Sequence, residues 1–206
     1  MGLLFTSFFG YAEQPDQAMM MHRQVYIVHG YGATAQDHWF ESVQRQIQDS
    51  STTVTILQLP NPTQPDVEAW QQVLEQNIKI IDRQTYFVAH SLGGITLLNF
   101  LAKQNPSKVG GIILVSGFTE TLPTLPQLDS YILNSQNEQI DLKVTQNKHL
   151  FISDNDSYVP SELSIKLAKH LDIPFTLIPK AGHFLAEDGY TDFPQLVKYL
   201  KKILNQ

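Results

Sequence analysis

From Val25 onward, short β-branched runs alternate with amphipathic stretches at helical spacing, and that alternation leaves few architectures open. The runs are Val25-Tyr26-Ile27-Val28, Val54-Thr55-Ile56-Leu57, Tyr86-Phe87-Val88-Ala89, Gly111-Ile112-Ile113-Leu114-Val115, His149-Leu150-Phe151-Ile152 and Phe175-Thr176-Leu177-Ile178. Several are apolar on successive residues, as strands covered on both faces of a parallel sheet must be. Between them, Val67, Trp70, Val73, Leu74, Ile78 and Ile81 form one helical stripe, and Phe193, Leu196, Val197, Leu200 and Ile203 another. Asp66 is a predicted N-cap, and Pro194 fits a first helical turn. Right-handed crossovers then give an α/β fold with an open, mainly parallel six-stranded sheet and helices on both faces. In such a sheet the chemistry belongs to the loops after the strands, beside the point where strand order reverses.

Composition narrows the function classes. Hydrophobic residues make up 42% of the 206 positions and charged residues 17%, which suits a folded core and argues against a disordered chain. A net charge of −6 without a Lys/Arg-rich run argues against nucleic-acid partners. With no cysteine, disulfide scaffolds, thiol nucleophiles and iron–sulfur clusters are excluded. No apolar run approaches the ~18 residues of a membrane span. Residues 1–23 read as a leader or a misassigned start: Gly2 to Phe9 is apolar but lacks a basic n-region, and Met19, Met20 and Met21 precede the first run. Met1-Gly2 with Thr6 fits only the loose myristoylation pattern. Residues 24–206, with no repeat or linker, read as one domain, and the expected setting is cytoplasmic.

The third run leads into Ala89-His90-Ser91-Leu92-Gly93-Gly94 and then an apolar helix. A serine on a strained strand-to-helix turn needs small neighbours two residues away on either side, here Ala89 and Gly93. There its hydroxyl stands above the sheet, and the Leu92 amide opens the helix as an oxyanion donor. The fifth run is followed by Ser153-Asp154-Asn155-Asp156-Ser157-Tyr158-Val159-Pro160, and the sixth by Lys180-Ala181-Gly182-His183-Phe184. Serine, then an acid, then histidine, each after its own strand, is the order used by an acyl-transferring serine. His183 is the expected base, and Asp154 and Asp156 compete as the acid. The first run ends in His29-Gly30-Tyr31-Gly32, where the Tyr31 amide supplies the second expected oxyanion donor. His29 and His90 flank tight turns and read as structural.

Other chemistries fit less well. Gly30-Tyr31-Gly32-Ala33-Thr34-Ala35 matches a dinucleotide fingerprint, but the second run ends Leu57-Gln58-Leu59-Pro60 with no acid for a ribose. No His-Glu-x-x-His occurs, and the Asp154–Asp156 segment lacks the glycine and distal glutamate of a calcium loop. No metal or other cofactor is expected.

With these residues in place, the sequence resembles the small serine hydrolases of the retinoblastoma-binding-protein-nine type, within the α/β-hydrolase superfamily. The resemblance spans Gln24 to Leu204. It rests on His29-Gly30-Tyr31-Gly32, His38-Trp39, Leu59-Pro60-Asn61-Pro62, Ala89-His90-Ser91-Leu92-Gly93, Ser116-Gly117-Phe118, Asp156 with Val159-Pro160, and Gly182-His183-Phe184. It implies a minimal α/β-hydrolase fold without the two leading antiparallel strands of larger relatives. It also implies Ser91 as nucleophile, Asp156 as acid and His183 as base.

The expected reaction is cleavage of a small ester or similar acyl substrate through an acyl-serine intermediate. The alternative is an idle scaffold of the same fold that binds a protein partner. Phe118, Leu122, Leu125, Leu128 and Tyr131 are expected along one wall of a shallow groove, with Tyr31 and Trp39 opposite. Pro123 and Pro126 exclude a long lid helix between Gly117 and Lys148. Acyl chains of roughly two to six carbons are therefore expected to react best, at ~0.8 kcal/mol per buried methylene.

Overall fold

The computed structural model describes residues 22–135 and 142–205. Six strands form one parallel sheet: β1 (Arg23–Val28), β2 (Thr52–Ile56), β3 (Thr85–His90), β4 (Gly111–Val115), β5 (Lys148–Ser153) and β6 (Phe175–Ile178). Their order is β2-β1-β3-β4-β5-β6, with every neighbouring pair parallel. Order reverses between β1 and β3, which opens the crevice beside their carboxyl ends. The leader expected over 1–23 lies outside the described residues except for His22 and Arg23, and Arg23 already belongs to β1.

Successive strand residues fill two separate cores. Val25 and Ile27, Tyr86 and Val88, and Ile113 and Val115 face one, with α1 (Phe40–Ile47) and α6 (Pro194–Leu204). Tyr26 and Val28, Phe87 and Ala89, and Ile112 and Leu114 face the other, where α2 (Val67–Asn77), α3 (Leu92–Gln104) and α5 (Ser161–His170) pack. This is the period-two division that continuous apolar runs require. Asp66 caps α2 as expected, accepting from the Ala69 amide at 2.8 Å. The helix stops short of the predicted stripe, however. Asn77 Nδ2 satisfies the Val73 carbonyl, and Ile78 turns extended, so Ile78 and Ile81 pack from beyond the helix.

β6 departs from the pattern. Phe175 is 42% and Leu177 46% exposed on this edge strand, so no second layer covers it. Between β4 and β5 the described residues form a 3₁₀ turn at Pro126–Leu128, the short α4 (Asp129–Asn134) and a second 3₁₀ turn at Leu142–Val144. No described helix is long and apolar enough to cross a membrane.

Candidate active site

Ser91 sits between β3 and α3 with φ 54° and ψ −125°, a backbone state that costs a residue with a Cβ about 1–3 kcal/mol. The surroundings enforce it. Its amide donates to the Val115 carbonyl of β4 at 2.9 Å, and its carbonyl accepts from Gly94 at 2.8 Å. Gly93 lets α3 press onto the end of β1, since a methyl there would fall 2.5 Å from the Val28 and His29 carbonyl oxygens. Leu92 is the first residue of α3, where amide groups have no intrahelical acceptor. Positive φ recurs at Asn61, Ser116, Lys180 and Phe184, each in a loop at the same end of the sheet.

The turn after β1 runs against this elbow: the Cβ direction of Gly30 points at Ser91 Cβ, the His90 carbonyl and the Leu92 amide. His29 sets the orientation of the Gly30–Tyr31 peptide. Its Nδ1–H donates to the Gly30 carbonyl at 2.9 Å, and its Nε2 accepts from the Leu59 amide at 3.2 Å. In a trans peptide, holding the carbonyl one way turns the Tyr31 N–H the other way. Burial pushes the His29 pKa down, against the opposing pull of the Gly30 bond. His90 is likewise structural: Nε2–H donates to the His183 carbonyl at 2.9 Å, and burial holds the ring well below the ordinary imidazole range.

The two aspartates after β5 have separate partners. Asp156 Oδ2 accepts from His183 Nδ1–H and Ser116 Oγ–H, each at 2.7 Å. Its Oδ1 accepts from the Tyr158 and Val159 amides, each at 2.9 Å. Burial pushes this carboxyl up, but the bond and charge of His183, the Val159 amide and Ser116 outweigh it, and the pKa is lowered. Asp154 instead accepts from the Lys180 amide at 2.8 Å, tying the loops after β5 and β6 together. With Nδ1–H committed to Asp156, neutral His183 keeps Nε2 as its basic nitrogen. Its ring lies 4.8 Å from that of His90, the residue before Ser91. A hydroxyl, an imidazole and a carboxylate disposed this way can supply nucleophile, base and orienting acid.

The serine hydrolase family profile matches residues 25–202. The chain belongs to the serine hydrolase family. YdeN of Bacillus subtilis, which bears the name of a hydrolase, is 38% identical over 175 residues, covering 84% of this chain and 92% of YdeN. The crystal structure of the ydeN gene product superposes with TM-score 0.82 at 34% identity, over 89% of this chain and all of that one. Mouse alpha/beta hydrolase domain-containing protein 10 shares the fold at TM-score 0.66 and 14% identity, covering 88% of this chain and 89% of its own. Est1E of Butyrivibrio proteoclasticus does so at 0.62 and 16%, covering 93% and 89%. The fold is therefore that of the α/β-hydrolases, and these relatives do not single out the retinoblastoma-binding-protein-nine type within the family.

For this serine hydrolase the expected groove walls need correction. Trp39 and Phe118 are fully buried and Tyr131 is 4% exposed. Trp39 packs edge-on against Phe40 and Phe193 in one core, while Phe118 and Tyr131 fill the other. Tyr131 also shares a 2.7 Å hydrogen bond with Thr96 and meets the edge of Trp70. Apolar side chains between crowded helices gain more from burial there than from facing a wet groove. Tyr31 remains half-buried. Other neighbours of the site had no role assigned from sequence. Ser116 stood inside a recognised motif, but its bond to Asp156 joins residues 40 positions apart. Tyr158 presents an exposed ring 5.2 Å from that of His183, and His38 Nδ1 accepts from Ala186 at 3.1 Å. Among the described residues, no three His, Asp or Glu side chains converge as a metal site.

Proposed function

We propose that this serine hydrolase cleaves small esters or similarly activated acyl compounds through an acyl-serine intermediate. One observation carries the reading: His183, bonded to Asp156 at 2.7 Å, has its ring 4.8 Å from that of His90, the residue before a serine held in a strained elbow. Ser91 Oγ attacks the acyl carbon while His183 Nε2 takes its proton, and Asp156 stabilises the imidazolium that forms. The Tyr31 and Leu92 amides receive the oxyanion. Collapse of the tetrahedral species expels the alcohol, which carries off the proton from His183. Water then attacks the acyl-enzyme by the same route in reverse, releasing acid and free Ser91.

The packing supports a small substrate. Phe118, Leu122, Leu128 and Tyr131 are closed into the core, and Ser91 and His183 are each 7% exposed. Little apolar depth remains to reward a long acyl chain, so acyl groups of roughly two to six carbons are favoured at ~0.8 kcal/mol per methylene. The Tyr158 ring offers apolar contact at the mouth. Likeness to the retinoblastoma-binding-protein-nine type, carried by His29-Gly30-Tyr31-Gly32 and Gly182-His183-Phe184, supports the same small, lid-poor site.

Steady-state hydrolysis of nitrophenyl esters by the native protein and Ser91→Ala tests the reading. Expected is Ser91-dependent turnover that peaks at short chains and shows no activation by lipid droplets. Rates rising steadily to long chains would overturn the shallow site. Turnover that survives Ser91→Ala would overturn the nucleophile, and no turnover on any ester would favour the idle scaffold.

A further inference from the structure

His183 is held through its backbone as well as through its ring. The N–H donates to Asp188 Oδ2 at 2.8 Å, and the carbonyl accepts from His90 at 2.9 Å. The same Asp188 oxygen accepts from the Leu185 amide at 3.1 Å, so one carboxylate spans the turn on both sides of Phe184. That turn is tight, with φ 55° at Gly182 and 58° at Phe184. The carboxylate fits closely under it: a methyl on Gly182 would fall 2.1 Å from Asp188 Oδ1. Asp188 itself ends the 3₁₀ turn Ala186–Asp188, which His38 anchors through the Ala186 amide.

These contacts do something that the Asp156 bond cannot. Pinning Nδ1 fixes one point of the imidazole, while the location of Nε2 still depends on where the His183 Cα stands. We propose that Asp188 is a positioning residue for His183, its carboxylate fixing the backbone from which the imidazole reaches Asp156 and Ser91. The inference rests on the proposed roles of Ser91 and His183. It adds a residue whose own side chain touches neither Asp156 nor the serine hydroxyl. Asp188 acts as a two-donor acceptor, so a neutral carbonyl oxygen at the same place should serve nearly as well.

The test is ester turnover together with NMR of the His183 Nδ1–H proton in Asp188→Ala, Asp188→Asn and Asp188→Glu. Asp188→Ala should lower kcat about 10- to 100-fold with KM within about threefold, the signature of lost orientation rather than lost binding. Asp188→Asn should recover to within about threefold of native, because its carbonyl can accept from both amides. Asp188→Glu keeps the charge but displaces it by a methylene, and should lose about tenfold, which keeps the proposal testable if the alanine variant does not fold. The Nδ1–H resonance should persist in native protein and Asp188→Asn and vanish into solvent exchange in Asp188→Ala. Native kcat in Asp188→Ala or Asp188→Glu overturns the proposal, as does Asp188→Asn no better than alanine. If turnover survives Ser91→Ala, the underlying reading fails, and the resonance alone still decides whether Asp188 holds His183.

Discussion

All six residues of β3 are buried, whereas Phe175, Thr176 and Leu177 of β6 are exposed, yet Ser91 and His183 follow these two strands. The serine end is fixed by packing. β3 lies between β1 and β4, α3 presses onto β1 through Gly93, and Ser91 is bonded back to Val115. The strand at the histidine end has no such cover, although the loop after it buries Ala181, His183 and Phe184. Besides the packing of Phe184 on Phe193, that loop is fixed by polar side chains that reach backbone amides: Asp154 to Lys180, Asn155 to Gly182 and Asp188 to His183. Close packing stores strain at the serine, while hydrogen bonds aim the histidine without burying its strand.

The contrast can be broken most forcefully at the acid. Asp156→Asn should lower kcat/KM on a short nitrophenyl ester by ~10⁴, the scale seen when a triad acid loses its charge. Asp154→Asn, which only trims a loop tie, should cost less than about tenfold. A reversed ranking would move the orienting acid to Asp154.

At the packed end, Gly93→Ala places a methyl 2.5 Å from two backbone oxygens that cannot step aside. Urea unfolding should show a loss of about 3 kcal/mol or failure to fold. On β6, Phe175→Ser removes a half-exposed side chain and should cost less than about 1 kcal/mol. Equal costs at both positions would mean that packing does not separate the two ends.

Acid titration sharpens the same comparison. Burial lowers the pKa of His29, His38 and His90, so the folded protein prefers these rings neutral. The unfolded chain takes up their protons below about 6.5, so their contribution is complete above that pH and is lost as pH falls. For His90, which stays neutral well below 6.5, the slope is about 1.4 kcal/mol per pH unit. His90→Gln, which can still donate to the His183 carbonyl, should remove that part of the slope between pH 6 and 5 in urea titrations. Asp156 acts lower down: its lowered pKa contributes stability above about 3.9 that disappears as pH falls through the folded value. An unchanged slope in His90→Gln would mean that the ring takes up its proton without unfolding.

Much of this was legible because it rests on local pattern. β4 and β6 match their predicted runs, β1, β3 and β5 extend theirs by one or two residues, and β2 begins two residues early and ends before Leu57. Ser91 and His183 stood out as candidates because a strained elbow and a Gly-His turn leave small residues nearby. The groove walls were not legible: an apolar residue reads alike in a core and in a pocket, and Trp39, Phe118 and Tyr131 went to the core. Ser116 and Asp188 were missed for another reason. A serine after a strand and an acid in a short turn are commonplace, and only tertiary placement brings them to Asp156 and His183.

The central claim is that Ser91 is the nucleophile at the carboxyl end of β3. Labelling with a fluorophosphonate, followed by mass mapping of the modified peptide, tests it most directly. One adduct per chain on Ser91 is expected, with no labelling in Ser91→Ala and a melting temperature within a few degrees of native. An adduct on any other serine, or labelling that persists in Ser91→Ala, would contradict it.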